Sequence, residues 1–289
     1  MFQSTEQLDE HQLKDLEQLR VRCRKTDGST PNLYTHILAQ PRALPASLLC
    51  YEQGRLLGFL GAFFFYNDAV EIALLVDPEL RKKGIATELM RLIIPLIQSV
   101  NFTNLIFSSP SKLNDDWLPN KKFTYMHSEY YMERKELNPL LENNHALVYR
   151  AATNSDLSIL YALDEACFQK KSNNDVPDRF QHLVGNRSYH IVIAYQNNQP
   201  IGKAHLRWDA HGATLSDIAI MPSLQGQGLG TALITHCINF ALSEGKPTIN
   251  LDVETHNQRA LNLYTRLGFA IQNSCDYWSI SIKQLGLVV

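Results

Sequence analysis

The residues with the clearest chemical use lie in one stretch, Ile218-Ala219-Ile220-Met221-Pro222-Ser223-Leu224-Gln225-Gly226-Gln227-Gly228-Leu229-Gly230-Thr231. An apolar run ends at a proline, a glycine-rich turn follows, and an amphipathic helix begins. Gly226, Gly228 and Gly230 open backbone conformations closed to other residues and let main-chain N–H groups approach a ligand. The first turn of the helix adds free amides and the positive end of its dipole at the same place. Together these make an anion cradle suited to a phosphate or pyrophosphate. No Gly-Lys-Ser/Thr closes the loop, so it is not the P-loop of nucleotide hydrolases. Its spacing also misses the dinucleotide fingerprint.

A second stretch, Leu251-Asp252-Val253-Glu254-Thr255-His256-Asn257-Gln258-Arg259-Ala260-Leu261-Asn262-Leu263-Tyr264-Thr265-Arg266-Leu267-Gly268-Phe269, supplies polar side chains at a strand end and on a helix. Gln225, Gly228 and Gly230 fit Gln-x-x-Gly-x-Gly, and Asn257 to Phe269 fits Asn-x-x-Ala-x-x-Leu-Tyr-x-x-x-Gly-Phe. The two motifs, in this order, resemble the two signatures of the GNAT superfamily of N-acetyltransferases. The first half repeats the grammar of the glycine-rich stretch in Leu74-Leu75-Val76-Asp77-Pro78-Glu79-Leu80-Arg81-Lys82-Lys83-Gly84-Ile85-Ala86-Thr87. The repeat resembles a tandem GNAT layout, as in mycothiol synthase. The likeness covers most of residues 146–284 and part of residues 40–135.

The resemblance implies transfer of an acetyl group from acetyl-CoA to an amine by direct attack. A free amine of pKa about 8 to 10 is mostly protonated at neutral pH, so a base is needed. The leaving thiolate gains from a proton donor. By resemblance Tyr264 is the general acid, with a helix aromatic packed on the core as the competing structural reading. Asp252 and Asp217 compete as the base. Strand alternation puts Asp217, Ala219 and Met221 on one face and Ile218 and Ile220 on the other. Glu254 and His256, at the strand end, read better as a solvated loop. The resemblance also implies that the backbone of Ile218, Ala219 and Ile220 holds the pantetheine arm. Gln225, Gly226, Gln227, Gly228, Leu229, Gly230 and Thr231 would then hold the pyrophosphate. Asn257 would contact the cofactor near the pantetheine, a role compatible with capping its helix.

In the first half the corresponding contacts would be Leu74, Leu75 and Val76, then Arg81, Lys82, Lys83, Gly84, Ile85, Ala86 and Thr87. Arg81-Lys82-Lys83 reads either as a solvated turn or as a cationic phosphate contact. Lys122-Phe123 stands where the family has Gly-Phe. Aligning Phe123 with Phe269 puts Leu118 opposite Tyr264 and Ser111 opposite Asn257. The first half is therefore expected to keep the fold pattern and lose the groups that chemistry needs. A non-catalytic acyl-CoA-binding sensor is the alternative reading for the whole chain.

The elements that must position these residues follow from periodicity. Leu13, Leu16, Leu19 and Val21 mark an amphipathic helix over 8–24. Strands are expected over 46–51, 56–66 and 70–76. A helix carrying Ile85, Leu89, Leu92, Ile93 and Leu96 follows, which Pro95 should kink or end. Strands are expected at 104–107 and 123–135. Glu136 to Asn144 is polar and breaks the periodicity, placing a boundary there. In the second half a strand over 146–152 precedes helices at 157–167 and 175–184. The resemblance implies an acceptor pocket built from early helices and loops, which here means the region of Phe168 to Arg187 and the domain interface. Three hairpin-linked strands lead into the glycine-rich loop. Then come the helix from Gly230, a strand over 248–254, a helix over 257–267 and final strands from Phe269. The expected fold is α/β with a mixed sheet: two tandem domains, 1–140 and 146–289, each a mostly antiparallel sheet flanked by helices.

At 289 residues with 45% hydrophobic and 19% charged residues, the chain has the makeup of a globular protein with a real core. A net charge of −2 gives no electrostatic reason to expect nucleic acid or an anionic membrane. No apolar run approaches the roughly 20 residues of a membrane helix, and no signal-peptide core opens the chain. The five cysteines lack Cys-x-x-Cys spacing and read as reduced thiols of a cytoplasmic protein. The ten histidines show no His-Glu-x-x-His pattern, so no metal is expected. The acceptor, a small molecule or a peptide, and the oligomeric state are not legible.

Overall fold

The computed structural model describes residues 1–100, 102–142, 146–168, 179–210, 212–255 and 257–285. The first half runs β1 (Phe2–Thr5), α1 (Glu10–Asp27), α2 (Thr35–Leu38), β2 (Ser47–Glu52), β3 (Arg55–Phe63), β4 (Ala69–Val76), α3 (Ile85–Ser99), β5 (Asn104–Pro110), α4 (Trp117–Asn120) and β6 (Thr124–Arg134). The second runs β7 (Val148–Ala151), α5 (Leu157–Phe168), α6 (Arg179–Val184), β8 (Tyr189–Gln196), β9 (Gln199–Trp208), β10 (Gly212–Ile220), α7 (Leu229–Ser243), β11 (Thr248–Glu254), α8 (Gln258–Arg266), β12 (Ala270–Ser281) and α9 (Ile282–Leu285). The mixed α/β fold expected from the sequence is observed. Pro95 does not end α3, which continues to Ser99. The final strands are one long strand, β12. Of the helix expected over 175–184, the N-terminal part, with Pro177, lies outside the described residues.

The two compact units are interleaved in sequence. The first contains Met1–Tyr130, Glu254–His256 and Asn273–Val289, and the second contains Tyr131–Val253 and Asn257–Gln272. The second half thus lends β12 from Asn273 onward to the first unit, while β6 divides after Tyr130. The division expected at 1–140 and 146–289 follows the repeat, whereas the packing follows this exchange.

In the first unit the strand order is β1-β2-β3-β4-β5-β12-β6. β12 runs antiparallel to β5, from Cys275 opposite Pro110 to Ser281 opposite Asn104. One face buries Leu89, Ile93 and Ile97 of α3 against Leu60, Ile72, Phe107, Trp278 and Ile280. The other buries Leu16, Leu19 and Cys23 of α1 against Leu49, Phe59, Phe63 and Leu75. The Asp276 carboxylate secures the incoming strand by accepting from Ser111 Oγ at 2.6 Å and Lys112 N at 2.8 Å.

In the second unit the order is β6-β11-β10-β9-β8-β7. α7 buries Leu233, Ile234, Cys237, Ile238 and Ala241. On α5, Leu160 and Leu163 pack with Phe180, Ile191 and Ile193. Arg134, 1% exposed, donates to the carbonyls of Leu267 at 2.9 Å and Asn138 at 2.8 Å. This cation satisfies a carbonyl at the C-terminal end of α8, where the helix dipole favours positive charge.

Candidate functional site

Both glycine-rich loops are built the same way. In the second unit β10 passes into a single 3-10 turn at Pro222–Leu224, and Gln225 is extended. Gly226 and Gly228 then take φ of 83° each, with Gly228 as the N-cap of α7. No side chain caps that helix, so its first-turn amides stay available to an anion. The side-chain amide of Gln225 donates to the carbonyl of Ile220 at 3.0 Å and ties the loop to the strand. In the first unit the 3-10 turn is Pro78–Leu80, and Gly84 at φ 86° is the uncapped N-cap of α3.

The loops differ in their side chains. Arg81 donates twice to Asp27, at 2.7 and 2.6 Å, and the Asp27 side chain is 3% exposed. Arg81 is thus held in an ion pair, while Lys82 and Lys83 are exposed. Lys82 takes φ 61° where the second unit has Gly226. A left-handed backbone costs a residue with a Cβ about 1–2 kcal/mol, offset by the larger unfolded entropy of glycine, about 0.5–1 kcal/mol. Lys82→Gly is expected to raise stability by about 0.5–1 kcal/mol, read as a higher urea midpoint at unchanged m-value.

Next to each loop a strand edge opens. Parallel pairing of β10 with β11 covers Gly212–Thr214 opposite Thr248–Asn250 and, among the described residues, does not reach Ile218–Ile220. Pairing of β4 with β5 covers Ala69–Ala73 opposite Asn104–Ser108 and stops before Leu74–Val76. In each unit the three residues expected to hold the pantetheine thus keep a main-chain edge free of the parallel neighbour. In the first unit this opening is a cavity of ≈ 470 Å³ lined by Leu74, Val76, Arg81, Thr87, Phe107 and Phe123, among others.

Asp217 lies at an irregularity of β10. The β9–β10 register shifts between Ser216 and Ala219, so an extra residue sits in β10, and Asp217 takes φ 48°. This is a β-bulge: Ser216, opposite His205, and Asp217 fall on one face, which is also the face of Ala219 opposite Lys203. Asp217 Oδ2 lies 3.5 Å from Nδ1 of His205, with the two side chains 25% and 1% exposed. β4 runs from Glu71 to Val76 opposite Phe63 to Gly58 without interruption, so the first unit has no such bulge.

Tyr264 is 9% exposed, with its ring edge-on to Phe269 at 5.8 Å between centroids. Among the described residues its hydroxyl has no hydrogen-bond partner. Burial pushes the phenol up to about 12. Asn257 is exposed and caps α8, its side chain accepting from Ala260 N at 3.1 Å. Asp252 is exposed on β11, and His256 lies outside the described residues. In the first unit, Leu118 is 0% exposed in the core beneath α3, and Ser111 serves Asp276. The positions aligned with Tyr264 and Asn257 are therefore structural there.

Three features escaped the sequence reading. A Cβ at Gly226 would fall 3.5 Å from Arg259 Nη2, which puts a guanidinium beside the cradle. Its signal was a basic residue in the first turn of α8, two positions after Asn257. His205 lies in an otherwise ordinary strand, and only cross-strand register brings it to Asp217. Finally, His127, Glu129 and Glu254 of the first unit bring ligand atoms within 4.8 Å of one another, a grouping that widely separated sequence positions conceal. All five cysteines are free. Burial raises each of them, Cys23 to about 11 and Cys237 to about 12. No helix of the described residues is long and apolar enough to cross a membrane.

Comparison with known proteins bears on this arrangement. The model of the Acetyltransferase (GNAT) family matches residues 12–115 and 157–269. Among curated proteins, the [Ribosomal protein bS18]-alanine N-acetyltransferase of Escherichia coli is 46% identical over 57 residues, covering 20% of this chain and 38% of the relative. Thialysine N-epsilon-acetyltransferase of Mus musculus is 35% identical over 71 residues, covering 25% of this chain and 42% of the relative. The chain thus spans well under half the length of either. Among solved structures, a GCN5-related N-acetyltransferase from Sphaerobacter thermophilus superposes with a TM-score of 0.78 at 14% identity, over 97% of this chain and 96% of its own. A tandem GNAT protein from the clavulanic acid biosynthesis pathway gives 0.68 at 15% identity, over 98% of both chains. At these identities the likeness is one of fold.

Proposed function

Because the chain belongs to the Acetyltransferase (GNAT) family, we propose that it transfers the acetyl group of acetyl-CoA to an amine, and that the second unit does the chemistry. The names of both curated relatives specify nitrogen acceptors, which supports an amine. The observation that carries the assignment to the second unit is the contrast between the units. Only the second combines the loop of Gly226 and Gly228 with a bulged strand and a buried phenol.

The residues present fit the cofactor. Uncapped amides of Gly228 to Thr231, with Gln225 to Gln227 and the guanidinium of Arg259, would hold the pyrophosphate. The free edge of Ile218, Ala219 and Ile220 would hold the pantetheine by strand-like pairing, and Asn257 would lie near it. Bound there, acetyl-CoA supplies an electrophilic thioester and a thiol leaving group.

Tyr264 keeps its proton at every physiological pH, since its pKa stands near 12. It holds that proton a few thousandfold more tightly than an ordinary thiol of pKa about 8.5. It therefore serves better as a fixed hydrogen-bond donor to developing negative charge than as a full proton donor. Asp217 and Asp252 are the carboxylates proposed for the base. Raised thiol pKa values leave every cysteine protonated, which favours direct attack by the acceptor over an acyl-cysteine route. The free cysteines also suit a reducing, cytoplasmic setting.

The test is free-thiol release from acetyl-CoA with a panel of simple primary amines, alongside CoA binding by calorimetry. Release with at least one amine is expected, and Gly228→Val should weaken CoA binding at least tenfold. Binding without release from any amine would favour a non-catalytic sensor. One observation points that way for the first unit alone. Its cavity and loop persist where Leu118 and Ser111 replace the reactive groups. Leu74 to Val76 and Arg81 to Thr87 would there hold CoA without reaction.

A further inference from the structure

Asp217 is a non-glycine residue held in the left-handed region inside a strand, a conformation that costs about 1–3 kcal/mol and persists only where the surroundings impose it. Its consequence is local. Ser216 stands opposite His205 across β9 and β10, so their side chains share a face. In a regular strand the next residue would point to the other face. The extra residue of the bulge instead keeps Asp217 on the His205 side, where the carboxylate lies 3.5 Å from the imidazole. Two residues along β9, Lys203 stands opposite Ala219, the centre of the proposed pantetheine edge. The bulge thus assembles a carboxylate–imidazole pair at the start of that edge, with the carboxylate on the more accessible side.

Building on the transferase reading above, we propose that Asp217 and His205 form the base as a unit: Asp217 receives the proton of the acceptor ammonium, and His205 holds it. The N–H bond of the acceptor breaks, leaving its electron pair on nitrogen, and an O–H bond forms on Asp217. That proton then passes to Nδ1 of His205, giving imidazolium beside a restored carboxylate, and returns to solvent through Asp217 after turnover. Magnitudes favour the pair over the carboxylate alone. An ordinary carboxyl of pKa about 3.9 takes a proton from an amine of about 9 with an equilibrium near 10⁻⁵, and imidazole at about 6.5 improves this several-hundredfold. His205 acts through Asp217 and is a positioning residue.

Nearby charges already have partners. Lys203 donates to Asp164 of α5 at 2.7 Å, and Arg207 lies 3.0 Å from Asp209. Tyr189 on β8 carries a phenol raised chiefly by burial, and Phe180 of α6 meets the imidazole edge-on at 5.9 Å. His182 on α6 is exposed.

The experiment uses the full chain with ¹⁵N-labelled histidine. Without ligand, the His205 imidazole should titrate, and Asp217→Asn should lower its midpoint by about one pH unit or more. With acetyl-CoA and the primary-amine panel, His205→Gln should lower kcat/KM about a hundredfold and displace the acidic limb of the pH profile. The loss should shrink for amines of pKa below about 7, which need less help. Calorimetry should show CoA binding within about twofold of wild type. Asp217→Asn, at a position 25% exposed, provides a second variant should His205→Gln fold poorly. An unmoved imidazole midpoint in Asp217→Asn, or a His205→Gln profile superposable on wild type, overturns the pair alone. Absence of thiol release with every amine overturns the pair together with the transferase reading.

Discussion

Replacing Tyr264 by phenylalanine is expected to lower kcat and kcat/KM together by about a hundredfold, with CoA affinity unchanged within about twofold. Equal loss in both constants marks an interaction made in the transition state and not before it. The ring fills the same space and keeps its contact with Phe269, so packing survives. The lost hydroxyl has no hydrogen-bond partner among the described residues, so its removal leaves no described group unsatisfied and stability should move by less than about 0.5 kcal/mol. The pH profile sharpens the test. With the phenol near 12, wild type should show no alkaline fall from Tyr264 up to about pH 10. An alkaline limb near pH 9 that vanishes in Tyr264→Phe would mean the phenol loses its proton far more easily than its burial implies. Full activity in the variant would leave Tyr264 as a core aromatic and remove the reason to place chemistry in the second unit.

Most of the fold was legible because it rests on local signals. Apolar alternation marked the strands, three- and four-residue spacing marked α1, α3 and α7, and Pro-then-Gly punctuation marked both loops. The recurrence of one loop grammar at 74–87 and 218–231 also revealed the repeat. What was hidden depends on pairing between distant segments. That Asn273 to Ser281 joins the first unit, and Tyr131 to Arg134 the second, cannot be read from strands that would look identical in either place. The bulge is likewise invisible, because Thr214 to Ile220 alternates as well with an extra residue as without one. Hence Asp217 was foreseen as a carboxylate of interest while the bulge and the partner His205 were not. Asn257 and Tyr264 sat in a motif, so their helix was foreseen, and Leu118 and Ser111 were correctly expected to differ. The pairing of Arg81 was hidden too. Three adjacent cations look like a phosphate contact, yet the first is committed to Asp27, 54 residues away.

The largest stability effect is expected from Asp164→Ala. Lys203 is 0% exposed and its ammonium donates to Asp164 Oδ1 at 2.7 Å, with the ring centres of Phe180 and Phe168 at 4.7 and 5.5 Å. Removing the carboxylate strands a cation in a largely apolar site, which typically costs about 3–5 kcal/mol. That is a large share of the about 5–15 kcal/mol that holds an ordinary domain together. The converse change is milder. Lys203→Met leaves a carboxylate that is already 16% exposed and can hydrate further, at an expected loss of about 1–2 kcal/mol. Replacing both, as Lys203→Met with Asp164→Leu, should lose less than Asp164→Ala alone. A buried pair exchanged for packed hydrocarbon is often neutral, because the desolvation penalty disappears with the attraction. Urea unfolding of the variants closes the cycle, and added salt should change little, since the pair is shielded from solvent. Equal losses in the two single variants would contradict the asymmetry of burial. Because Lys203 pairs in register with Ala219, a loosened β9 should also weaken CoA binding in Asp164→Ala, whereas the double variant should bind nearly as wild type. The ion pair then matters to the cofactor only through the position of the strand, and its charge is dispensable.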